Sequence, residues 1–175
     1  MLFAVLAPQA QAQSGPDQEE IDRLFEELAK SDQPGWQQIE DSIAREWAKS
    51  GSASMDLLLQ RGRDALSEGD YAKAVEHFTA LTDHAPGFAE GWNSRATAWF
   101  RLDRYGLAIS DIGRALAIEP RHFGALIGLA TILRELDRGQ EALAVLRRVE
   151  ALHPHRPNVL EGIEALSSRF DGETL

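Results

Sequence analysis

The 175-residue sequence predicts an all-α fold, an α-solenoid of stacked helix–turn–helix repeats, and three observations carry the prediction. Four sets of residues recur with a period of 34: Pro86, Pro120 and Pro154; Gly62, Ala96 and Ala130; Ala74, Ala108 and Ala142; Phe78, Ile112 and Leu146. The three copies, 55–88, 89–122 and 123–156, follow one another without an insertion. Apolar stripes at helical spacing then flank the array on both sides, as the ends of a stack require.

Taken in chain order, residues 1–13 stand apart. Met1 to Ala7 is apolar, and Ala10-Gln11-Ala12 before Gln13 has the small-x-small pattern of a signal-peptidase site. The expectation is a truncated secretory signal whose start lies upstream of Met1, and hence an exported, periplasmic protein. The alternative is the ragged start of a cytosolic chain. Residues 14–50 predict a helical hairpin. Asp17 and Glu20 offer a capping-box start, and Ile21, Leu24, Phe25 and Leu28 form one stripe. A turn over 31–35 leads to a second stripe of Trp36, Ile39, Ile43 and Trp47. This hairpin is expected to cap the first repeat, or else to act as a hinged arm on the linker 51–54.

Within each repeat the matched residues have separate tasks. Gly62, Ala96 and Ala130 lie midway along the first helix, and Ala74, Ala108 and Ala142 on the second, so that the two helices approach closely. A larger residue there overpacks the contact, at about 1–3 kcal/mol. Phe78, Ile112 and Leu146 fill the space beside it. The prolines stop the second helix, because the residue before proline is driven out of the α region. Gly69-Asp70, Asp103-Arg104 and Asp137-Arg138 occupy the turns. After Pro157, the residues Val159, Ile163, Leu166 and Phe170 recur on one helix face, which predicts a C-terminal capping helix over 157–170 and a tail over 171–175.

These residues resemble the tetratricopeptide repeat (TPR) family, bacterial members included. The second repeat carries the pattern as Trp92, Ala96, Trp99, Ala108, Ala115 and Pro120, and the first as Leu58, Gly62, Tyr71, Ala74, Phe78 and Pro86. The third departs from it, with Gly139 where an aromatic is usual and Val149 in place of the later alanine. The resemblance spans 55–156 and implies a right-handed superhelix that binds protein or peptide partners and carries no catalysis. It also implies a structural ion pair between Arg95 and Asp111. Arg61 is the equivalent of Arg95 one repeat earlier, but His77 stands where its aspartate belongs.

The family's concave groove is expected to be lined by Leu59, Arg63 and Leu66, then Asn93, Thr97, Phe100 and Arg101, then Ile127, Thr131 and Arg134. Apolar residues mixed with three arginines suit an acidic or C-terminal-carboxylate segment with an apolar anchor. The convex face and the N-terminal hairpin are the competing surfaces. The family's clamp for heat-shock chaperone tails is absent: its places hold Leu59, Arg63, Ser94, Gly124 and Gly128.

Composition removes other classes. A net charge of −10 opposes binding through a nucleic-acid backbone. Residues 1–54 hold ten acids and four bases, so the acidity is concentrated ahead of the repeats. No cysteine is available for a disulfide, a thiolate metal site or a nucleophile. The chain has no run of about 18 apolar residues to span a membrane. No phosphate-cradling loop or nucleophile elbow occurs. His153 and His155 are the one pair with metal-ligand spacing and carry the alternative from another class, a metalloprotein or hydrolase; without a third ligand nearby, no metal and no cofactor is expected.

Overall fold

The computed structural model describes residues 15–172 apart from Ser31. The signal reading of residues 1–13 and the last three residues of the tail lie outside that range. Nine helices and no strand occur among the described residues: α1 (Gln18–Leu28), α2 (Trp36–Trp47), α3 (Ala53–Ser67), α4 (Tyr71–His84), α5 (Ala89–Arg101), α6 (Tyr105–Ile118), α7 (Phe123–Glu135), α8 (Gly139–Leu152) and α9 (Pro157–Gly172). The pairs α3–α4, α5–α6 and α7–α8 are the three repeats, and α9 follows as the cap.

The period sets the turns as well as the core. Gly69, Asp103 and Asp137 are 34 residues apart, and all three adopt positive φ, at 79°, 57° and 56°. The residue after each donates its N–H to a carbonyl five positions back, on Ala65, Trp99 and Leu133, at 2.8–2.9 Å. This is the Schellman closure of a helix C-terminus. Glycine adopts its left-handed backbone freely, and aspartate is among the few other residues that tolerate it.

Close helix approach is tightest in the first repeat. A Cβ on Gly62 would sit 2.3 Å from the Phe78 ring, so the ring occupies the volume a side chain would need. Ala74, Ala108 and Ala142 are all fully buried. The third repeat makes good its missing turn aromatic from outside itself. A Cβ on Gly139 would lie 2.9 Å from Phe170 of α9, so the capping helix fills that place. Val159 and Leu166 of α9 join Leu126, Leu146 and Val149 in one buried cluster.

The N-terminal segments differ from expectation in two ways. The linker is shorter: Ala53 and Ser54 belong to α3, and Ser50 is tied down, its N–H and hydroxyl both donating to the Asp56 carboxylate. The hairpin caps neither the first repeat nor swings as an arm. It lies across the loops that join the second repeat to the third and the third to α9. Phe25 and Trp47 pack on Phe123 at ring-centroid distances of 6.3 and 4.9 Å, and Trp36 meets His153 edge-on at 5.2 Å. Asp22 pairs with Arg121 at 2.7 Å, and Glu40 accepts from His153 Nε2 (2.8 Å) and from Arg156 Nη2 (2.7 Å). Acidic hairpin meets basic loops, which is why the stripe turns to this edge. Of the expected capping box, only the half in which Asp17 accepts from Glu20 N–H forms, because the Glu20 carboxylate is taken by Arg23.

Candidate partner-binding groove

The first helices of the repeats, α3, α5 and α7, line the concave face. Between α5 and α7 this face opens into a pocket of about 140 Å³. Asn93, Thr97 and Phe100 form one wall, Gly124, Gly128 and Thr131 the other, and Ala96, Ile112 and Ile132 the floor. The two glycines create the space: they stand one turn apart on α7, where a side chain would project into the groove. The Thr97 and Thr131 hydroxyls donate back to carbonyls four residues earlier, at 3.1 and 2.9 Å. Each wall therefore presents a methyl group and oxygen lone pairs rather than a competing donor. The pocket suits an apolar side chain carried on an extended backbone.

Four of the ten expected groove residues, Asn93, Thr97, Phe100 and Thr131, meet in this pocket. Phe100 is held by stacking on Tyr105 at 5.7 Å. Arg101 and Arg134 are exposed at the C-terminal ends of α5 and α7, Arg101 lying over the Tyr71 ring at 5.4 Å. Leu66 and Ile127 are half-buried and pack against the core. Leu59 is not a groove residue. It is 3 % exposed and packs with Ala65, Ala74 and Phe78, because Leu58 beside it turns only partly inward and leaves the core position to Leu59.

Arg63 is on the groove but is not free to take a partner's carboxylate. Its Nη2 donates to Glu90 Oε1 at 2.6 Å. Ser94 Oγ also donates to that oxygen at 3.2 Å, and Asn93 Nδ2 donates to Glu90 Oε2 at 3.2 Å. His122 completes the set. Its Nδ1 accepts from the Ala125 N–H at 3.2 Å and caps α7, which leaves the ring proton on Nε2 to donate to Glu90 Oε2 at 3.0 Å. Burial pushes the Glu90 carboxyl up, but the hydrogen bond from His122 and the charge of Arg63 outweigh it and hold it below 4.5. Sequence reasoning missed Glu90 and His122. The repeat register contains the signal: Asp56, Glu90 and Gly124 are 34 apart, and Gly124 lines the pocket.

Arg95 and Asp111 form a bidentate pair at 2.7 and 2.9 Å, with Asp111 6 % exposed. Arg95 Nη1 donates further to Thr82 at 2.9 Å, on the preceding repeat, and its guanidinium lies over Trp92. This network is structural. Arg61 is exposed beside Asp64, Lys73 and His77 and does not reach Asp111.

His153 and His155 hold the hairpin. His153 is fully buried with Nε2 on Glu40, and His155 Nε2 donates to the Lys30 carbonyl at 2.8 Å. Among the described residues no three His, Cys, Asp or Glu side chains are grouped to hold an ion. No helix there is long and apolar enough to cross a membrane.

Fold and repeats define a class: a helical-repeat scaffold for protein interaction. Two family models described as tetratricopeptide repeat match residues 59–120 and 100–166. A TPR repeat-containing protein of Rhizobium etli is 35% identical over 169 residues, which covers 96% of this chain and 82% of that protein. The chain belongs to the tetratricopeptide repeat family, whose members are non-enzymatic scaffolds for protein interaction. Mouse sperm-associated antigen 1 is 34% identical over 94 residues, 54% of this chain and 10% of its own length. Among solved structures, the first TPR of Spaghetti (RPAP3) bound to the HSP90 peptide SRMEEVD aligns with a TM-score of 0.64 and 24% identity, over 67% of this chain and 93% of that one. The TPR2B domain of yeast Sti1 in complex with an Hsp70 peptide aligns with a TM-score of 0.62 and 22% identity, over 67% and 99%.

Proposed function

We propose that this protein is an adaptor that binds an extended partner segment along the concave groove, with an apolar side chain seated in the α5–α7 pocket. The observation that carries the reading is the pocket opened by Gly124 and Gly128. At those two places the chaperone-tail clamp of the family has basic residues, so this groove exchanges a carboxylate grip for an apolar seat. The exposed Arg101 and Arg134 lie at the end of the groove beyond the pocket. An acidic group on the partner, next to its anchor, complements them.

Panning a random peptide display library against the full chain tests this. The expected result is a consensus with one large apolar residue and Asp or Glu close by, abolished by Gly128→Leu, which fills the pocket while leaving the fold intact by circular dichroism. Absence of a consensus, or one that survives Gly128→Leu, overturns the groove reading.

The protein is further proposed to work in the bacterial cell envelope. The apolar run from Met1 and the Ala10-Gln11-Ala12 site support export, and the Rhizobium relative makes a bacterial source natural. Intact-mass measurement of the protein from fractionated cells decides it. A new N-terminus at Gln13 in the envelope fraction is expected, and Met1 retained in the cytosol overturns it.

A further inference from the structure

The polar half of the groove is wired to the N-terminal hairpin. Glu90 sits on the groove wall and takes four donors: Arg63, Ser94, Asn93 and His122. Two of these, Arg63 and Asn93, are groove residues. The fourth leads away from it. His122 is 2 % exposed, and its ring lies flat on Trp47 of α2, at 4.2 Å between centroids and 12° between planes. One contiguous series of contacts therefore runs from Arg63 through Glu90 and His122 to Trp47.

The His122 ring is fixed in three ways. Ala125 N–H holds Nδ1, Glu90 holds Nε2, and Trp47 covers a face. Removing the indole releases one face and lets the ring tilt about its two hydrogen bonds. Glu90 Oε2 then loses its aligned donor, and the balance of its bonds to Arg63 changes. The consequence for recognition is electrostatic. While Glu90 is held in place, the positive charge of Arg63 is neutralised and the α3 end of the groove offers nothing to a carboxylate. The Arg101 and Arg134 end remains positive.

We infer that Glu90 is the residue that sets the charge specificity of the groove, excluding acidic partner residues from its α3 end, and that the docked hairpin positions it through the Trp47–His122 stack. The inference rests on the groove reading and refines it by giving the partner a direction: acidic beyond the anchor on the Arg101 side, neutral or basic on the Arg63 side. The hairpin becomes a regulator of that choice. Coupling between sites is reciprocal, so a partner that draws Arg63 off Glu90 also loosens the hairpin.

The same display library distinguishes the two ideas. Wild-type chain is panned alongside Glu90→Gln, Trp47→Ala and the double variant Glu90→Gln, Arg63→Ala, each checked for an unchanged helical circular-dichroism spectrum. If no variant yields an apolar anchor, the groove reading fails and this inference with it. If the anchor emerges, Glu90→Gln is expected to gain Asp or Glu at the Arg63 side of the anchor by about threefold to fivefold, the scale of one half-exposed charge pair. The double variant loses that gain, which ties it to Arg63. Trp47→Ala shows a smaller gain of the same sign, and Trp47→Phe restores the wild-type profile. An anchor consensus with no new acidic preference in Glu90→Gln overturns the inference while leaving the groove in place. A gain in Glu90→Gln with none in Trp47→Ala overturns the part assigned to the hairpin.

Discussion

The two ends of the stack solve the same problem in opposite ways. At the C-terminal end α9 lays Val159, Ile163, Leu166 and Phe170 over the last repeat, and its ring at Phe170 fills the place Gly139 leaves. At the N-terminal end no helix among the described residues covers the outer face of α3, and composition does the work. In the later repeats the positions that meet a preceding helix are Gly91 and Ala98, then Ala125 and Ile132, all buried. Their counterparts in the first repeat are Leu57 and Asp64, both exposed, with Arg61 also exposed between them. A solenoid end is stable either when another helix covers it or when its outer face is polar enough to be wet. This chain uses one solution at each end, which leaves the hairpin available for the loop edge.

Several substitutions break or sharpen that contrast. The largest effect belongs to the covered end. Ending the chain at Arg156 removes two buried and two half-buried apolar side chains from the third repeat, on the order of 5 kcal/mol of burial. That is comparable with the whole stability of many domains, so urea unfolding should show the third repeat lost or the protein insoluble. Asp111→Ala comes next, since it leaves the Arg95 guanidinium buried without its carboxylate, at about 3 kcal/mol. Arg61→Ala, at the equivalent place on the wet end, should shift the urea midpoint by less than about 0.5 kcal/mol. Gly62→Ala is expected to cost about 2–3 kcal/mol, because the Phe78 ring has no room to yield, and the double variant with Phe78→Leu should recover most of it. Leu57→Ser at the uncovered face should be the smallest change of all, within about 0.5 kcal/mol in thermal unfolding.

Acid offers a further way to separate the ends. Burial raises the Glu40 carboxyl, but the hydrogen bond from His153 and the charge of Arg156 more than offset that, and it is held below 4.5. A carboxyl depressed in the folded state lends stability that is complete above its unfolded value and is withdrawn as pH falls through the folded one. The seam between the hairpin and the loops next to α9 should therefore loosen below about pH 4. Glu40→Gln should lower stability at pH 7, and its deficit should shrink as acid protonates the wild-type carboxyl, as read from urea midpoints against pH.

How far the amino-acid sequence reached into this structure depended on whether a signal was repeated. Matched positions one 34-residue period apart identified the tight helix contacts and the turns, and a single apolar stripe after Pro157 identified the cap. Arg95 and Asp111 stand at places where a repeat family keeps a pair. A stripe such as Trp36, Ile39, Ile43 and Trp47 tells which face of a helix is apolar, but not which surface will cover it. The choice was made by groups far away in sequence, Arg121 and Arg156 with His153 and His155. Leu59 was misplaced because three consecutive leucines, 57 to 59, blur the helical phase. Gly139 looked like a gap in the third repeat because its missing ring is supplied from 31 residues further on.

One detail of the hairpin seam sets the order in which the molecule comes apart. Two buried side-chain nitrogens have no protein hydrogen-bond partner among the described residues, Trp47 Nε1 on α2 and His153 Nδ1 packed against it. With no protein partner for either nitrogen, the seated hairpin gains no protein hydrogen bond at these two places. Lifting the hairpin is thus less uphill than its aromatic contacts alone would imply. In native-state hydrogen exchange, the amides of α1 and α2 should trade their protons well before those of α5 to α8.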